Sequence, residues 1–126
     1  MNNVRTVEAW QGDTIKLNVG GKVFETTEGT LRSLPGTLFE EILEQAEIKS
    51  LIKREDGTLF LDRCPEYFPY ILNWLRNPES PRIKPKDEIG RKLLELEVQF
   101  YKIPEDVNKN PIRAIDKWLN ELQWDL

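Results

Sequence analysis

The chain has 126 residues, enough for one domain of ordinary size, and a formal net charge of −4. This acidic balance argues against a nucleic-acid-binding protein, which needs a clustered basic excess for its phosphate contacts. Because the chain has no histidine and a single cysteine, Cys64, it lacks the groups for Ser-His-Asp or Cys-His catalysis and for most zinc sites, so we expect no enzyme, no cofactor and no metal.

The first structured element is predicted to be a β-hairpin. Residues 1–13 show no sustained hydrophobic period and are interpreted as a flexible N-terminal tail. Every second residue of 15–19 is apolar, which is typical of a strand with one buried face. Gly20 and Gly21 can both adopt positive φ, as a tight turn requires, and residues 22–26 return as the partner strand.

Helix signals follow this hairpin. Thr26 or Thr27 can cap a short helix, which Pro35 and Gly36 would end. The next four residues, Thr-Leu-Phe-Glu at 37–40, match the capping box, in which the threonine oxygen accepts from a backbone amide three residues on and the glutamate reaches back. Apolar residues recur with helical period behind the box, so the sequence predicts a second helix there.

A second hairpin is predicted at residues 50–62. Residues 50–54 can form one strand, Asp56 and Gly57 a favoured two-residue turn, and residues 58–62 the returning strand. Pro65 can then open a helix at its first turn. The apolar residues of that helix, which recur at helical spacing, are Phe68, Ile71, Leu72 and Leu75.

Two more helices are predicted after a proline-rich loop at 77–85. Asp87 can cap a helix that carries an apolar face formed by Ile89, Leu93, Leu96 and Phe100. Residues 105–126 are predicted to hold a C-terminal amphipathic helix, whose apolar stripe is Ile112, Ile115, Trp118, Leu119 and Leu122. A helix of this length is not stable alone, so it folds back on its own domain or binds a neighbouring subunit or a partner, and Trp118 is then a partner-binding candidate.

The order of these elements shows no βαβ rhythm, so the predicted fold class is α+β. Four segments, taken together in this order, resemble the BTB/POZ fold: LNVGGKVFETTEGTL, SLPGTLFEEIL, DGTLFLDRCPEYFPYILNWLRN and LLELEVQFYKIP. The subclass that they resemble is the cytoplasmic tetramerisation domain of voltage-gated potassium channels and the related KCTD proteins. The resemblance covers residues 14–104 and implies a small β-sheet built from hairpins and packed against a cluster of helices.

The resemblance also implies a self-association module, with four or five copies in a ring and largely polar contacts between subunits. The residues that it places on or near these contacts are Gly20, Gly21, Thr26, Thr27, Asp62 and Arg63. A simple turn explains the glycines equally well, and Asp62 and Arg63 could instead pair within one subunit. Many channel domains of this type carry an interfacial zinc motif of His and Cys, and this chain resembles the members without it.

The leading functional hypothesis from the resemblance is a KCTD-like adaptor that presents substrates to a cullin-3 ubiquitin ligase. The residues that it places at the cullin contact are Leu38, Phe39, Tyr70 and the 44–57 loop, although Leu38 and Phe39 could equally be core. The alternative is a structural oligomerisation domain of a potassium channel or larger scaffold, without cullin binding. No apolar run reaches the ~18 residues of a membrane span, so a cytoplasmic protein without membrane insertion is expected.

Overall fold

The computed structural model describes residues 14–106. The predictions made for the tail at 1–13, for the C-terminal helix beyond residue 106 and for Trp118 lie outside the described residues and stay predictions. The α+β class is confirmed: a small three-stranded sheet packs against several helices.

The predicted first hairpin is formed by β1 (Thr14–Val19) and β2 (Lys22–Thr27), which pair antiparallel. Gly20 and Gly21 occupy the turn with φ of 56° and 105°. Gly20 also lies against the backbone of Arg63, where an added Cβ would sit 2.2 Å from the Arg63 carbonyl oxygen. Both the positive φ and this close approach therefore require glycine at position 20.

Three helices follow in the described chain: α1 (Glu28–Leu31), α2 (Leu38–Glu44) and α3 (Ala46–Ile52). Both predicted threonine caps are confirmed. Thr27 Oγ1 accepts a hydrogen bond from the Thr30 amide at 3.1 Å, and Thr37 Oγ1 accepts one from the Glu40 amide at 3.3 Å. The side chain of Glu40 reaches back to the amide of Gly36, one residue before the amide that a standard capping box would use.

The first strand of the predicted second hairpin is wrong. Residues 50–54 form the end of α3 and a turn, and only an isolated bridge joins Lys53 to Leu59. The predicted returning strand does form, as β3 (Leu59–Leu61), but it pairs in parallel with β1, so the strand order is β2-β1-β3. The sheet therefore consists of one hairpin and one added parallel strand.

Packing explains this difference. In the α3 helix, Ile48 and Ile52 lie about one turn apart on the same face, and both pack against the core. Pairing with β1 buries Leu59 and Leu61, which are 2% and 5% exposed. The turn at Gly57 is present, with φ of 88°, but it joins a helix to a strand.

The last two described helices are α4 (Phe68–Arg76) and α5 (Glu88–Phe100). Pro69 lies in the first turn of α4, where its missing amide hydrogen has no intrahelical partner to lose. The predicted cap of α5 is confirmed, since Asp87 Oδ2 accepts from the Gly90 amide at 2.7 Å.

The core lies between the sheet and the helices α2, α4 and α5, and aromatic rings occupy its centre. Phe68 of α4 contacts Phe24 of the hairpin, with ring centroids 4.9 Å apart, and Phe39 of α2 stacks on Tyr101 at 4.9 Å. Within residues 14–106, none of the helices combines the length and the apolar character that crossing a membrane would need.

Candidate interaction surfaces

Four of the six residues predicted at the subunit contact lie together at one end of the sheet. Gly20 and Gly21 form the β1–β2 turn, and Asp62 and Arg63 directly follow β3. The Gly20 amide donates to the Leu61 carbonyl at 2.9 Å, which holds the turn beside this segment. Gly20, Gly21 and Asp62 are exposed and Arg63 is half-buried, so a partner could reach this end of the sheet.

The other two predicted contact residues lie at the opposite end of the hairpin. Thr26 and Thr27 pair with Ile15 and Thr14 in the strand register. Thr26 is only 5% exposed, and Thr27 caps α1 with its hydroxyl. Thr26 therefore contributes to packing within one chain, and the six predicted residues do not form one patch.

Arg63 is paired within its own chain, but with Glu97 of α5 and not with Asp62. Its Nε donates to Glu97 Oε1 at 2.9 Å and its Nη2 donates to Glu97 Oε2 at 2.8 Å, a bidentate pair. The hydrogen bonds to Glu97 raise the pKa of Arg63 above its ordinary value, against the opposing effect of desolvation. The pair connects the end of β3 to the C-terminal half of α5.

Glu97 is a structural residue that the sequence reasoning missed. It is 5% exposed, on the buried face of α5 between Leu94 and Tyr101. The sequence contains a signal for this role. Glu97 comes three residues after Leu94 and four before Tyr101, so it shares their helix face. A carboxylate that is buried on such a face needs a cationic partner.

The apolar face predicted for α5 forms in the structure but points outward. Its four members are 72%, 41%, 52% and 38% exposed, in the order Ile89, Leu93, Leu96 and Phe100. The residues that α5 buries are instead Gly90, Leu94 and Glu97. We refer to Ile89, Leu93, Leu96 and Phe100 as the α5 stripe.

The α5 stripe is continuous with the turn end of the sheet. The guanidinium carbon of Arg63 lies 4.5 Å from the ring centroid of Phe100, so Arg63 connects the stripe to Asp62 and to the turn at Gly20. We call the stripe together with Gly20, Gly21, Asp62 and Arg63 the α5 surface.

The residues predicted at a cullin contact are divided between core and surface. Phe39 is 1% exposed and stacks on Tyr101, so it belongs to the core and cannot contact a partner in this conformation. Leu38 and Tyr70 are half-buried. Half of the predicted 44–57 loop is helix α3, which carries Leu51 at 85% exposure. The strand predicted at 50–54 gave no reason to expect this exposed apolar side chain.

A groove of about 460 Å³ lies on the other side of α5. It is lined by Trp74, Leu94, Val98 and the segment at 103–106, together with basic side chains that include Arg82. Arg82 Nη1 donates to the Pro104 carbonyl at 2.8 Å, and desolvation lowers the pKa of Arg82 below its ordinary value. Across residues 14–106, no group of three His, Cys, Asp or Glu side chains could hold a metal ion.

Comparison with known families matches residues 15–110 to the BTB/POZ domain. The chain is 39% identical over 102 residues to SH3KBP1-binding protein 1 of Rattus norvegicus, covering 81% of this chain and 14% of that protein. It is 34% identical over 91 residues to the potassium channel regulatory protein of Mus musculus, covering 72% of this chain and 33% of that protein. It is 37% identical over 92 residues to BTB/POZ domain-containing protein KCTD21 of Mus musculus, covering 72% of this chain and 34% of that protein.

The chain thus spans about a third of the length of two of these relatives and a smaller share of the first. The match extends over most of the chain and includes the hairpin, the sheet and helices α1 to α5. The chain belongs to the BTB/POZ family, in its potassium-channel tetramerisation type.

Proposed function

We propose that this chain is a cytoplasmic, KCTD-like adaptor that assembles into a ring of four or five copies and presents substrates to a cullin-3 ubiquitin ligase. The observation that carries the proposal is membership of the potassium-channel tetramerisation type, with relatives that include KCTD3 and KCTD21. Family membership by itself supports a protein-interaction and oligomerisation module. The ring size and the cullin partner are the finer steps that experiments must test.

The proposed mechanism is geometric and uses no catalytic group. A ring holds several weak binding sites at fixed separations, so a ligand or ligase bound at one site meets the next at a high effective concentration. A closed ring of more than two copies places two different surfaces of each copy in contact. The turn end of the sheet, where Gly20, Gly21 and Asp62 are exposed, can supply one of these two surfaces.

The α2–α3 region is the surface that we assign to cullin-3. The resemblance places the cullin contact after the first hairpin and near the central helix, where Leu38 and Tyr70 are half-buried. Leu51 adds a large apolar side chain that is 85% exposed, with the exposed Lys49 and Lys53 on the same helix end. A single exposed apolar side chain is ordinary on a protein surface, and Leu51 is our candidate anchor because it lies in the segment where the resemblance places the cullin contact.

The test is a calorimetric titration of the full chain with the N-terminal region of cullin-3. We expect the wild type to bind and Leu51→Glu to bind about tenfold or more weakly, because an interface anchor would be replaced by a charge. Ile83→Glu is the matched control, since Ile83 is 77% exposed and lies in the loop before α5. No binding by the wild type would overturn the cullin role and favour the alternative, a structural oligomerisation domain of a channel or scaffold.

Self-association is tested separately by light scattering on a sizing column over a range of concentrations. A mass of four or five times 14.8 kDa would support the ring and give its size. A monomer at the highest concentration would overturn the assembly mechanism, whatever the result with cullin-3.

A further inference from the structure

We propose that the α5 stripe is a contact between subunits and packs against a second copy of this chain. The inference deepens the proposed self-association and rests on it. It also departs from the largely polar contacts that the family resemblance implies, because four large apolar side chains would lie at the centre of this contact.

The first argument is the concentration of exposed apolar side chains on α5. The described residues include seven large apolar side chains that are exposed, and the four of the α5 stripe are neighbours at spacings of four, three and four residues. The other three, Val23, Leu51 and Ile83, belong to three different elements or loops. Single exposed apolar residues are normal on a protein surface, whereas a contiguous patch marks an interaction site.

The second argument is that the stripe is held in place before any partner binds. The bidentate bonds between Arg63 and Glu97 fix α5 to the end of β3, and the Arg63 guanidinium covers one side of Phe100. A surface that is already ordered loses little conformational entropy on association, so its apolar area contributes more fully to binding.

The third argument concerns the path of the chain after α5. Lys102 has a φ of 55°, and the Ile103 amide donates to the Val98 carbonyl at 3.0 Å, the Schellman pattern that ends a helix and redirects the chain. The Pro104 carbonyl then accepts from Arg82. At 3.6 residues per turn, Val98 lies roughly opposite the stripe on α5.

The described chain therefore ends on the side of α5 that faces away from the stripe. This placement favours a second copy as the occupant over residues 107–126 of the same chain. The stripe is also continuous with Gly20, Gly21, Asp62 and Arg63, which the family resemblance independently places at the subunit contact. Both observations point to the α5 surface as one of the two surfaces that a ring needs.

The experiment compares the full wild-type chain with Leu96→Glu and with the control Ile83→Glu, using light scattering over a concentration series. Leu96 is 52% exposed, so a glutamate there can be solvated in the free subunit. We expect assemblies of Leu96→Glu to dissociate at protein concentrations at least tenfold higher than those at which wild-type assemblies dissociate. Ile83→Glu should dissociate at the same concentrations as the wild type. Ile89→Glu is the second variant, because Ile89 is 72% exposed near the start of α5, where an acidic side chain suits the helix.

Each outcome decides between the alternatives. If the wild type assembles and both stripe variants assemble equally well, the inference is overturned while the proposed self-association stands. If their assembly is unchanged but their urea unfolding midpoints fall, another part of the same chain covers the stripe, which also overturns the inference. A monomeric wild type overturns the second copy as occupant together with the proposed ring. Circular dichroism of each variant confirms that the subunit has folded.

Discussion

Helices α4 and α5 both show an apolar face in the sequence, yet the fold buries one of these faces and exposes the other. The four predicted apolar residues of α4 are 0% to 3% exposed: Phe68, Ile71, Leu72 and Leu75. The four of the α5 stripe are 38% to 72% exposed. Hydrophobic periodicity identifies which side chains share a face, but it contains no information about what covers that face.

The two helices also differ in how they are attached to the rest of the domain. The ring of Phe68 contacts both Phe24 of the hairpin and Tyr101, so α4 lies at the centre of the core. The α5 helix is attached through a narrower face, formed by Gly90, Leu94 and the Glu97 carboxylate. If the stripe serves assembly, one helix of the pair stabilises the subunit and the other is available to join subunits.

The largest expected effect comes from truncating a buried leucine of α4, and the matching truncation of an exposed leucine of α5 is its comparison. Leu75→Ala should lower the free energy of unfolding by about 2–5 kcal/mol, because Leu75 is 1% exposed and its loss leaves a cavity. Leu96→Ala should cost less than about 1 kcal/mol in the separated subunit, because Leu96 is half in solvent there. Urea unfolding, followed by circular dichroism at concentrations dilute enough to separate the subunits, measures both values. Similar costs at the two positions would contradict the contrast between the helices.

An intermediate effect is expected from removing the charge that neutralises Glu97. Arg63→Met should destabilise the domain by about 2–3 kcal/mol, because it leaves a nearly buried carboxylate unpaired. This expected loss of stability is at the low end of the range for breaking a buried ion pair, since the Arg63 side chain is 28% exposed and partly screened by water.

The matched variant for this pair is Arg63→Met combined with Glu97→Leu, which removes both charges. It should recover most of the lost stability, because no unpaired carboxylate remains on the buried face of α5. A double-mutant cycle from urea unfolding gives the coupling energy. A coupling near zero would mean that apolar contacts alone hold α5 to the sheet.

The parts of the fold that local chemistry determines were predictable from the sequence. The glycine turn, the caps at Thr27, Thr37 and Asp87, and the apolar face of α4 each depend on residues within a few positions of one another. The prediction of a second hairpin was wrong because it relied on the local strand preference of residues 50–54. In the tertiary structure these residues belong to the end of α3 and the turn after it, and β1 pairs instead with β3, about 40 residues further along the chain.

The candidate sites were predictable only in part, and for a related reason. Burial of Phe39, exposure of Leu51 and the pairing of Arg63 with Glu97 all depend on which elements pack together. Family resemblance supplied Gly20, Gly21, Asp62 and Arg63, but it gave no reason to include the α5 stripe. That face becomes a candidate interface only when the structure shows that residues 14–106 leave its four side chains 38% to 72% exposed.

The smallest expected effect concerns Tyr101, which anchors the end of α5 in the core. It is 0% exposed, and its hydroxyl has no hydrogen-bond partner within the part of the chain that the structure describes. Burial, with a further contribution from Glu97, raises the pKa of Tyr101 well above the ordinary value of about 10. The unfolded chain therefore loses this proton near pH 10 while the folded chain keeps it, so stability should fall as the pH rises above about 10.

Tyr101→Phe keeps the ring that stacks on Phe39 and removes only the hydroxyl. We expect its free energy of unfolding at pH 7 to be unchanged or higher by up to about 1 kcal/mol, because an unpaired buried polar group is lost. Above pH 10 its stability should decline less steeply than that of the wild type. Urea unfolding from pH 7 to 11 measures this difference, with Tyr70→Phe as the control at a half-buried tyrosine. A loss of more than about 1 kcal/mol at pH 7 would show that the hydroxyl has a partner, and α5 would then have a second polar anchor beside Glu97.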